Sequence, residues 1–268
     1  MAIQYSLLTS ISVTFFRPLL ALLLLPSLGF ALPLEYSASY NLEKFGMVIA
    51  KSDYSLRHEN NGVRMTQHTQ PVGLAALLRD DTLDENSFLS TQDDQLLLTE
   101  FSYRQISEDK KNRNIQLKIN WTQSGDKPQG LVRGNAYGKK LKLKVENPVW
   151  DTSSYQIPLM LNTKEEAAPQ KYTMMVKGKF HTYTFITHGS EKIEVNGNII
   201  QTIKVERDSS KKKSSIYLWL APSLNNLPVK IEKWNNGTLQ LTLLLNQAQF
   251  PSDKSMEFKT VADELEEF

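Results

Sequence analysis

Four histidines, His58, His68, His181 and His188, have the widest chemical range in this sequence, because imidazole serves as metal ligand, acid and base. A metal site would need two or three of them to converge beside a carboxylate. His181 and His188 are seven residues apart in one predicted strand and face opposite sides. His58 and His68 flank the turn at residues 60–62 and could approach across it. The sequence predicts exposed or singly hydrogen-bonded histidines and no metal site.

Paired carboxylates could serve a polysaccharide hydrolase, which holds two carboxyl groups at a fixed separation in a cleft. Such pairs occur at Asp80-Asp81, Asp84-Glu85 and Asp93-Asp94, in segments that resemble turns, where aspartate commonly turns the chain. The sequence has no nucleophile elbow, zinc-protease motif or glycine-rich phosphate loop, and Gly189-Ser190-Glu191 is interpreted as a turn. With no cysteine, thiol catalysis is excluded. We expect that the protein is not an enzyme and binds no cofactor. A polysaccharide hydrolase ranks third, after the two binding hypotheses given at the end of this section.

Strands must position these side chains, because the dominant pattern after residue 34 has a period of two. The sequence predicts one all-β domain over residues 32–250, an antiparallel meander that forms a curved half-barrel or a sandwich. Asn196-Gly197 and Asn236-Gly237 predict tight hairpin turns, since both residue types tolerate the positive φ that a type I′ turn requires.

Two segments interrupt the strand pattern and predict one or two short helices. Gly73–Arg79 has the length of two helical turns. Asp151–Leu161 begins with a residue typical of a helix N-cap, and Pro158 limits any helix to one side of the proline. The polar segment Lys164–Gln170 predicts a long loop between an N-terminal β part and a C-terminal meander.

The first 31 residues have the features of a secretory signal peptide. Arg17 precedes an apolar run, and Gly29 and Ala31 are small residues at the third and first positions before a predicted cut. We expect cleavage after Ala31 and a periplasmic protein, with a retained membrane anchor as the alternative. Because the chain has no cysteine, it is not a lipoprotein.

The charge of the chain is nearly balanced, with 31 Lys and Arg against 29 Asp and Glu. A nucleic-acid-binding domain is typically strongly basic, so we expect no nucleic acid as partner. Residues 251–268 hold six acidic residues and two lysines and predict an acidic C-terminal tail, which is either solvated or docked on a basic partner.

The C-terminal strands place aliphatic and aromatic side chains on opposite faces, because side chains alternate along a strand. Leu218 points one way, and Tyr217 and Trp219 point the other. If the aromatic face lines a pocket, its walls are ligand-binding candidates; otherwise these rings pack on the sheet. The candidates are Tyr183, Phe185, Tyr217, Trp219 and Trp234.

The segment Tyr217–Ile231, in which a strand ending in Trp-Leu precedes a polar turn and Leu-Pro-Val-Lys-Ile, resembles the C-terminal signature of domain of unknown function 3108. Leu32–Tyr40, followed by Gly46, is similar to the first strands of that uncharacterised bacterial exported family. The likeness covers most of residues 34–250. It implies an exported β-rich protein of a Gram-negative envelope and brings no established activity and no catalytic residues.

We therefore expect a periplasmic protein that binds an apolar or amphipathic envelope ligand, such as a lipid or a lipoprotein-like molecule, without catalysis. The alternative is a structural or adaptor protein that binds another envelope protein through a sheet edge or the acidic tail. No stable membrane span is expected once the signal peptide has been removed.

Overall fold

The computed structural model describes residues 32–78, 80–107, 112–124, 127–208, 214–251 and 256–257. The predicted signal peptide with its cleavage point and most of the acidic tail lie outside these residues. The described helices are α1 (Leu74–Leu78) and α2 (Gln156–Asn162). The described strands are β1 (Tyr36–Lys44), β2 (Met47–Glu59), β3 (Gly62–Pro71), β4 (Thr82–Gln92), β5 (Gln95–Ile106), β6 (Arg113–Ser124), β7 (Lys127–Ala136), β8 (Lys139–Glu146), β9 (Val149–Trp150), β10 (Gln170–Val176), β11 (Lys179–Val195), β12 (Asn198–Asp208), β13 (Ser214–Ala221), β14 (Leu227–Asn235), β15 (Thr238–Gln249) and β16 (Met256–Glu257).

All these strands belong to one sheet, in the order β8-β7-β6-β5-β4-β3-β2-β1-β15-β14-β13-β12-β11-β10-β9, with β16 added beside β15. Neighbours pair antiparallel, except for the parallel pair of β9 and β10. The pairing of β1 with β15 joins the N-terminal and C-terminal halves into one continuous surface. The prediction of an all-β antiparallel meander with one or two short helices is confirmed.

The sheet curls until its two edges almost meet. Strands β8 and β9 end the strand order, yet β9 contacts β5 across the gap. In addition, a Cβ atom on Gly178, in the turn between β10 and β11, would lie 2.9 Å from the Cβ atom of Ala136 at the end of β7. The result is a nearly closed barrel, which decides between the predicted half-barrel and sandwich in favour of the curved form.

Tight turns with two left-handed residues join many of the strands, as in Asn196-Gly197 and Asn236-Gly237, which confirms those two predicted turns. Because neighbouring strands run antiparallel, alternate turns lie at the same end of the barrel. The end that carries Phe45-Gly46, α1, Tyr137-Gly138, Lys177-Gly178 and Asn236-Gly237 is called the Phe45 end. The end that carries the turns after β2, β4, β11 and β13 is called the Asn196 end.

A central segment, Val149–Thr163, fills much of the barrel interior. Residues Gln156 to Met160 of α2 are all buried, so this helix has no solvent-facing side over that length. Tyr155 stacks on Phe185 of β11, while Asn226 in the turn after β13 donates to the carbonyl oxygens of α2 and its C-terminal cap. The segment therefore contacts separate parts of the sheet, and each buried Ile, Leu or Met side chain contributes about 1.5 to 3 kcal/mol through apolar burial.

Several local predictions are wrong. Pro158 lies inside α2 and does not bound it, because it occupies the first helical turn, where a missing N–H breaks no helical hydrogen bond. Gly189 and Ser190 are not a turn between strands but lie at a bulge within the continuous strand β11. The pair Asp84-Glu85 lies within β4, whereas Asp93-Asp94 does form a turn.

The described helices are short. Neither of them has the length and apolar character that a helix needs to cross a bilayer.

Candidate functional site

A tight turn at the start of the central segment presents two hydroxyl groups to the barrel wall. Asp151 Oδ1 accepts hydrogen bonds from the backbone N–H groups of Ser153 and Ser154, each at 2.9 Å, and Ser154 Oγ donates to Asp151 Oδ2 at 2.5 Å. This arrangement satisfies the buried Asp151 carboxylate locally, so that it needs no partner on the sheet. It also fixes Thr152 and Ser153 so that both hydroxyls point at β4.

The buried carboxyl group of Glu85 is hydrogen-bonded to both of these hydroxyl groups. Thr152 Oγ1 donates to Glu85 Oε1 at 2.8 Å, and Ser153 Oγ is hydrogen-bonded to Glu85 Oε2. Glu85 is only 6% exposed, because its position on β4 points inward. The pKa of the Glu85 carboxyl is raised to about 7, mainly by burial and in addition by the negative charge of Asp151, while the two hydroxyl donors oppose the shift.

The hydrogen-bond pattern around Ser153 fits a protonated Glu85. Ser153 Oγ also lies 2.8 Å from the side-chain oxygen of Gln67, whose amide nitrogen donates to Ser52 and Thr69. One hydroxyl hydrogen cannot serve the Glu85 and Gln67 oxygens at once. When Glu85 carries a proton it donates to Ser153 Oγ, and the Ser153 hydroxyl is then free to donate to Gln67. Ionisation of Glu85 leaves one of these contacts without a hydrogen.

Glu85 lies at the inner wall of a cavity of about 480 Å³ between the two edges of the curled sheet. One wall comes from β4, β5 and β6, and the opposite wall comes from the end of β10 and its turn. Phe101, Ile115 and Met175 are buried and make an apolar surface. Tyr137 and Lys177 lie in turns of the Phe45 end and are exposed, so the cavity opens at that end.

Polar groups ring the mouth of this cavity above the apolar surface. They are Tyr103, Arg113, Tyr137 and Lys177, with Glu85 deeper inside. Burial raises the pKa of the Tyr103 phenol, and the neighbouring Tyr137 and Glu85 raise it further. Burial likewise raises the pKa of Tyr137, against the opposing charge of Arg113. Both phenols therefore remain neutral hydrogen-bonding groups beside two cationic side chains.

The five candidate ligand-binding residues from the sequence are divided between the two faces of the sheet. Phe185 is buried inside the barrel on Tyr155, and Tyr183 lies on the same face beneath the guanidinium of Arg207 at 4.5 Å. Tyr217, Trp219 and Trp234 lie on the opposite, outer face. None of the five lines the cavity that contains Glu85.

The outer-face aromatic rings are covered by charged side chains. Trp219 is only 4% exposed, its indole nitrogen donates to Glu191, and the ammonium groups of Lys204 and Lys230 lie 4.9 and 4.7 Å from its ring centroid. Trp234 donates to a carboxylate two residues away at 2.8 Å. Such cation–π and hydrogen-bond contacts describe a packed surface, in which no face of Trp219 is free for a ligand.

The histidines are dispersed over the sheet. His68 lies 2.6 Å from Asp84, His188 lies 2.8 Å from Glu206, and His58 contacts a backbone carbonyl oxygen at 2.8 Å. In the part of the chain that the structure describes, no three His, Asp or Glu side chains are grouped closely enough to hold a metal ion.

Glu85, Tyr103, Arg113 and Tyr137 were not predicted as site residues from the sequence. Asp84-Glu85 was interpreted as a pair of acidic residues in a turn. Glu85 is two residues from the buried Ser87 in β4, however, and alternation along the strand places both on the inner face. This alternation along the strand is the one signal in the sequence that could have identified Glu85. The approach of β5 and β6 to the β10–β11 turn is a long-range contact without a local sequence pattern.

Comparisons with known proteins agree with this fold. A family described as a protein of unknown function (DUF3108) matches residues 35–244. Among solved structures, the chain is similar to a β-barrel-like protein of domain of unknown function DUF1849 from Brucella abortus, with a TM-score of 0.51 and 10% identity over 82% of this chain and 99% of that chain. A search of curated proteins finds no match. The structural likeness concerns the fold alone. Because the family match spans most of the chain, including all strands from β1 to β14, the protein belongs to the DUF3108 family.

Proposed function

We propose that this protein is an exported, periplasmic binding protein that takes an amphipathic ligand into the cavity beside Glu85 and performs no reaction on it. The observation that carries the proposal is the layered lining of the cavity. Apolar side chains, together with the Glu85 carboxyl group, form its inner walls, and two phenols and two cations surround its mouth. Ligand pockets typically combine a mostly apolar lining with a few polar groups that fix orientation, and their volumes span about 300 to 1,000 Å³.

The charge of the lining favours an anionic head group. Arg113 and Lys177 are the cations of the mouth, and Glu85 is half neutral near pH 7 because its pKa is raised to about 7. The apolar chain of such a ligand would contact Phe101, Ile115 and Met175. A long-chain carboxylic acid or a lipid with one phosphate has this combination of an apolar chain and a negative head.

A hydrolase is less well supported by the site. Among the described residues, Glu85 points inward and is held by hydroxyl groups of the central segment, whereas the inward Asp151 belongs to that segment and is held by its backbone N–H groups. A glycosidase needs its carboxyl groups on either side of a bound sugar. The adaptor hypothesis relies on a free sheet edge or on the acidic tail, most of which lies outside the described residues. At the edge, β8 presents Lys140, Lys142 and Lys144, a composition that commonly protects edges from pairing.

The test is a titration of the delipidated protein with a fluorescent long-chain carboxylic acid. Arg113→Gln should weaken binding by about tenfold or more, because it removes a charge-assisted contact of about 1.5 to 3 kcal/mol. Arg133→Gln is the matched control, since Arg133 is also an exposed arginine but lies on the outer face of β7 and does not line the cavity. Val176→Trp should fill the mouth and abolish binding. Equal affinities of the wild type and all three variants would overturn the proposal.

A further inference from the structure

An exposed apolar patch lies at the same end of the barrel as the mouth of the cavity. The patch, called the apolar rim, consists of Phe45, Met47 and Val48 in the β1–β2 hairpin and Leu74 and Leu77 in α1. Phe45 and Leu77 are each 81% exposed, Leu74 is 77% exposed and Met47 is 61% exposed. Isolated exposed apolar residues are ordinary, whereas a cluster of nearly fully exposed large side chains marks an interaction surface.

The two parts of the apolar rim are held together by the sheet. Strand β3, which leads into α1, pairs with the beginning of β2, where Ala50 lies opposite Pro71. The backbone N–H of Val72 then donates to the carbonyl oxygen of Ile49 at 3.2 Å, which keeps α1 beside the β1–β2 hairpin. The other end is different, because its exposed large apolar residues are separated in the chain, at Leu34, Leu161 and Ile199.

Exposed lysine side chains lie at the same end of the barrel as the apolar rim and the cavity mouth. The ammonium group of Lys44 lies 5.2 Å from the ring centroid of Phe45, and further exposed lysines occupy the neighbouring turns of the Phe45 end. These are Lys139, Lys140, Lys177 and Lys179. The acids among the described residues of this end are Glu43, Asp80, Asp81 and Asp208. By contrast, carboxylates predominate in the described turns of the Asn196 end, including Glu59, Asp93, Asp94, Glu146, Glu165, Glu166 and Glu194.

We propose that the Phe45 end docks on the surface of an anionic lipid bilayer. The apolar rim enters the region between head groups and acyl chains, and the lysines contact phosphate groups. Proteins that lie on such a surface typically insert apolar side chains into it and contact its anionic head groups with neighbouring basic residues. The carboxylate-rich Asn196 end then faces away from the negative surface. The inference extends the proposed function, since the cavity mouth opens toward the lipid, but docking does not depend on an occupied cavity.

A site-specific label tests the orientation of the docked protein. Because the chain has no cysteine, Met47→Cys and Ile199→Cys each provide one attachment point for an environment-sensitive fluorophore. Ile199 is the matched control, since it is 66% exposed but lies at the Asn196 end. The protein is produced with its own N-terminal segment, purified from the periplasm and mixed with vesicles of phosphatidylethanolamine and phosphatidylglycerol. The label at position 47 should shift to the blue and brighten, and the label at position 199 should not.

Substitutions in the apolar rim test its contribution to affinity. Phe45 has a φ of 52°, so Phe45→Asn preserves the turn, because asparagine tolerates left-handed backbone well. Phe45→Asn and Leu77→Gln should each weaken vesicle binding about tenfold through lost apolar burial, and Ile199→Gln should leave it unchanged. Val176→Trp should retain vesicle binding although it abolishes ligand binding, because it removes no charge from the Phe45 end, and this separates docking from the proposed function. An equal response of the two labels, or unchanged binding by both rim variants, would overturn the inference.

Discussion

The pKa of Glu85 predicts how the stability of the protein depends on pH. An acid with a higher pKa in the folded state holds its proton more tightly there than in the unfolded chain. The contribution of Glu85 to stability is therefore greatest below its ordinary pKa of 4.5, falls as the pH rises, and is fully lost above about 7. Burial disfavours the ionised form of Glu85, which also lies close to Asp151 and leaves Ser153 with two acceptors for one hydrogen; these causes explain the direction of the effect.

The expected magnitude follows from the size of the shift. Each pKa unit corresponds to about 1.4 kcal/mol, so raising the pH from about 5 to about 8 should remove about 2 to 3 kcal/mol of stability through this group. Glu85→Gln abolishes the titration while keeping the size of the side chain. Consequently, the free energy of unfolding of the wild type minus that of Glu85→Gln should fall by this amount over the same pH interval.

The assay is urea unfolding followed by tryptophan fluorescence at several pH values. The pKa of Glu59 is lowered mainly by its hydrogen bond from Arg64, and that of Asp84 by its hydrogen bond with His68, so both favour stability at higher pH. These terms are present in both proteins and cancel in the difference. Glu146→Gln, at an exposed position of β8, is the control and should run parallel to the wild type. If the free energies of unfolding of Glu85→Gln and the wild type ran parallel with pH, or if their difference rose with pH, the raised pKa of Glu85 would be refuted.

Three further predictions concern packing and turns, and each is checked by urea or thermal unfolding. Gly62→Ala should lower the stability by about 3 kcal/mol or more, because the new Cβ atom would lie 1.9 Å from a backbone carbonyl oxygen. Gly46→Ala, at a φ of 75° with no atom nearby, should cost only about 1 kcal/mol. Equal costs would contradict this account of the β3–β4 contact. Asn226→Gly keeps the left-handed backbone at a φ of 58° and should lose about 1 to 2 kcal/mol, the value of its hydrogen bonds to the central segment; no loss would show that these bonds contribute nothing. Trp219→Phe should lower stability by about 1 to 2 kcal/mol without changing ligand affinity, because the indole is packed on the outer face; a selective loss of affinity would return the site to that face.

Local sequence patterns predicted the sheet well where alternation and turn chemistry agree. The C-terminal meander has both, with aliphatic residues at every second position and Asn-Gly pairs between strands. Strands β7 and β8 lack this agreement and were not predicted. Pro128, Gly130 and Gly134 interrupt the apolar pattern of β7, and β8 alternates lysine with aliphatic residues at a half-exposed edge. Pairing with β6 stabilises β7 in spite of its weak intrinsic preference.

The position of the cavity could not be predicted from local patterns. Alternation assigns residues to two faces, but it does not say which face lies inside the barrel. The interior is determined by the central segment, whose contacts with Glu85 and Gln67 link residues far apart in the chain. The aromatic face with Trp219 and Trp234 is therefore the outer one. The cavity arises where the sheet edges approach each other, and only the closed topology brings Tyr103 and Lys177 to one site.

Native mass spectrometry of the protein purified from the periplasm tests the central claim most directly. We expect the mass of residues 32–268 together with a bound amphiphile, which denaturing extraction releases as a discrete small molecule with a negative head group. The Val176→Trp variant, isolated in the same way, should have the protein mass alone. A wild-type protein that is free of ligand after gentle purification, or a ligand that persists in Val176→Trp, would contradict the claim that the cavity beside Glu85 is the binding site.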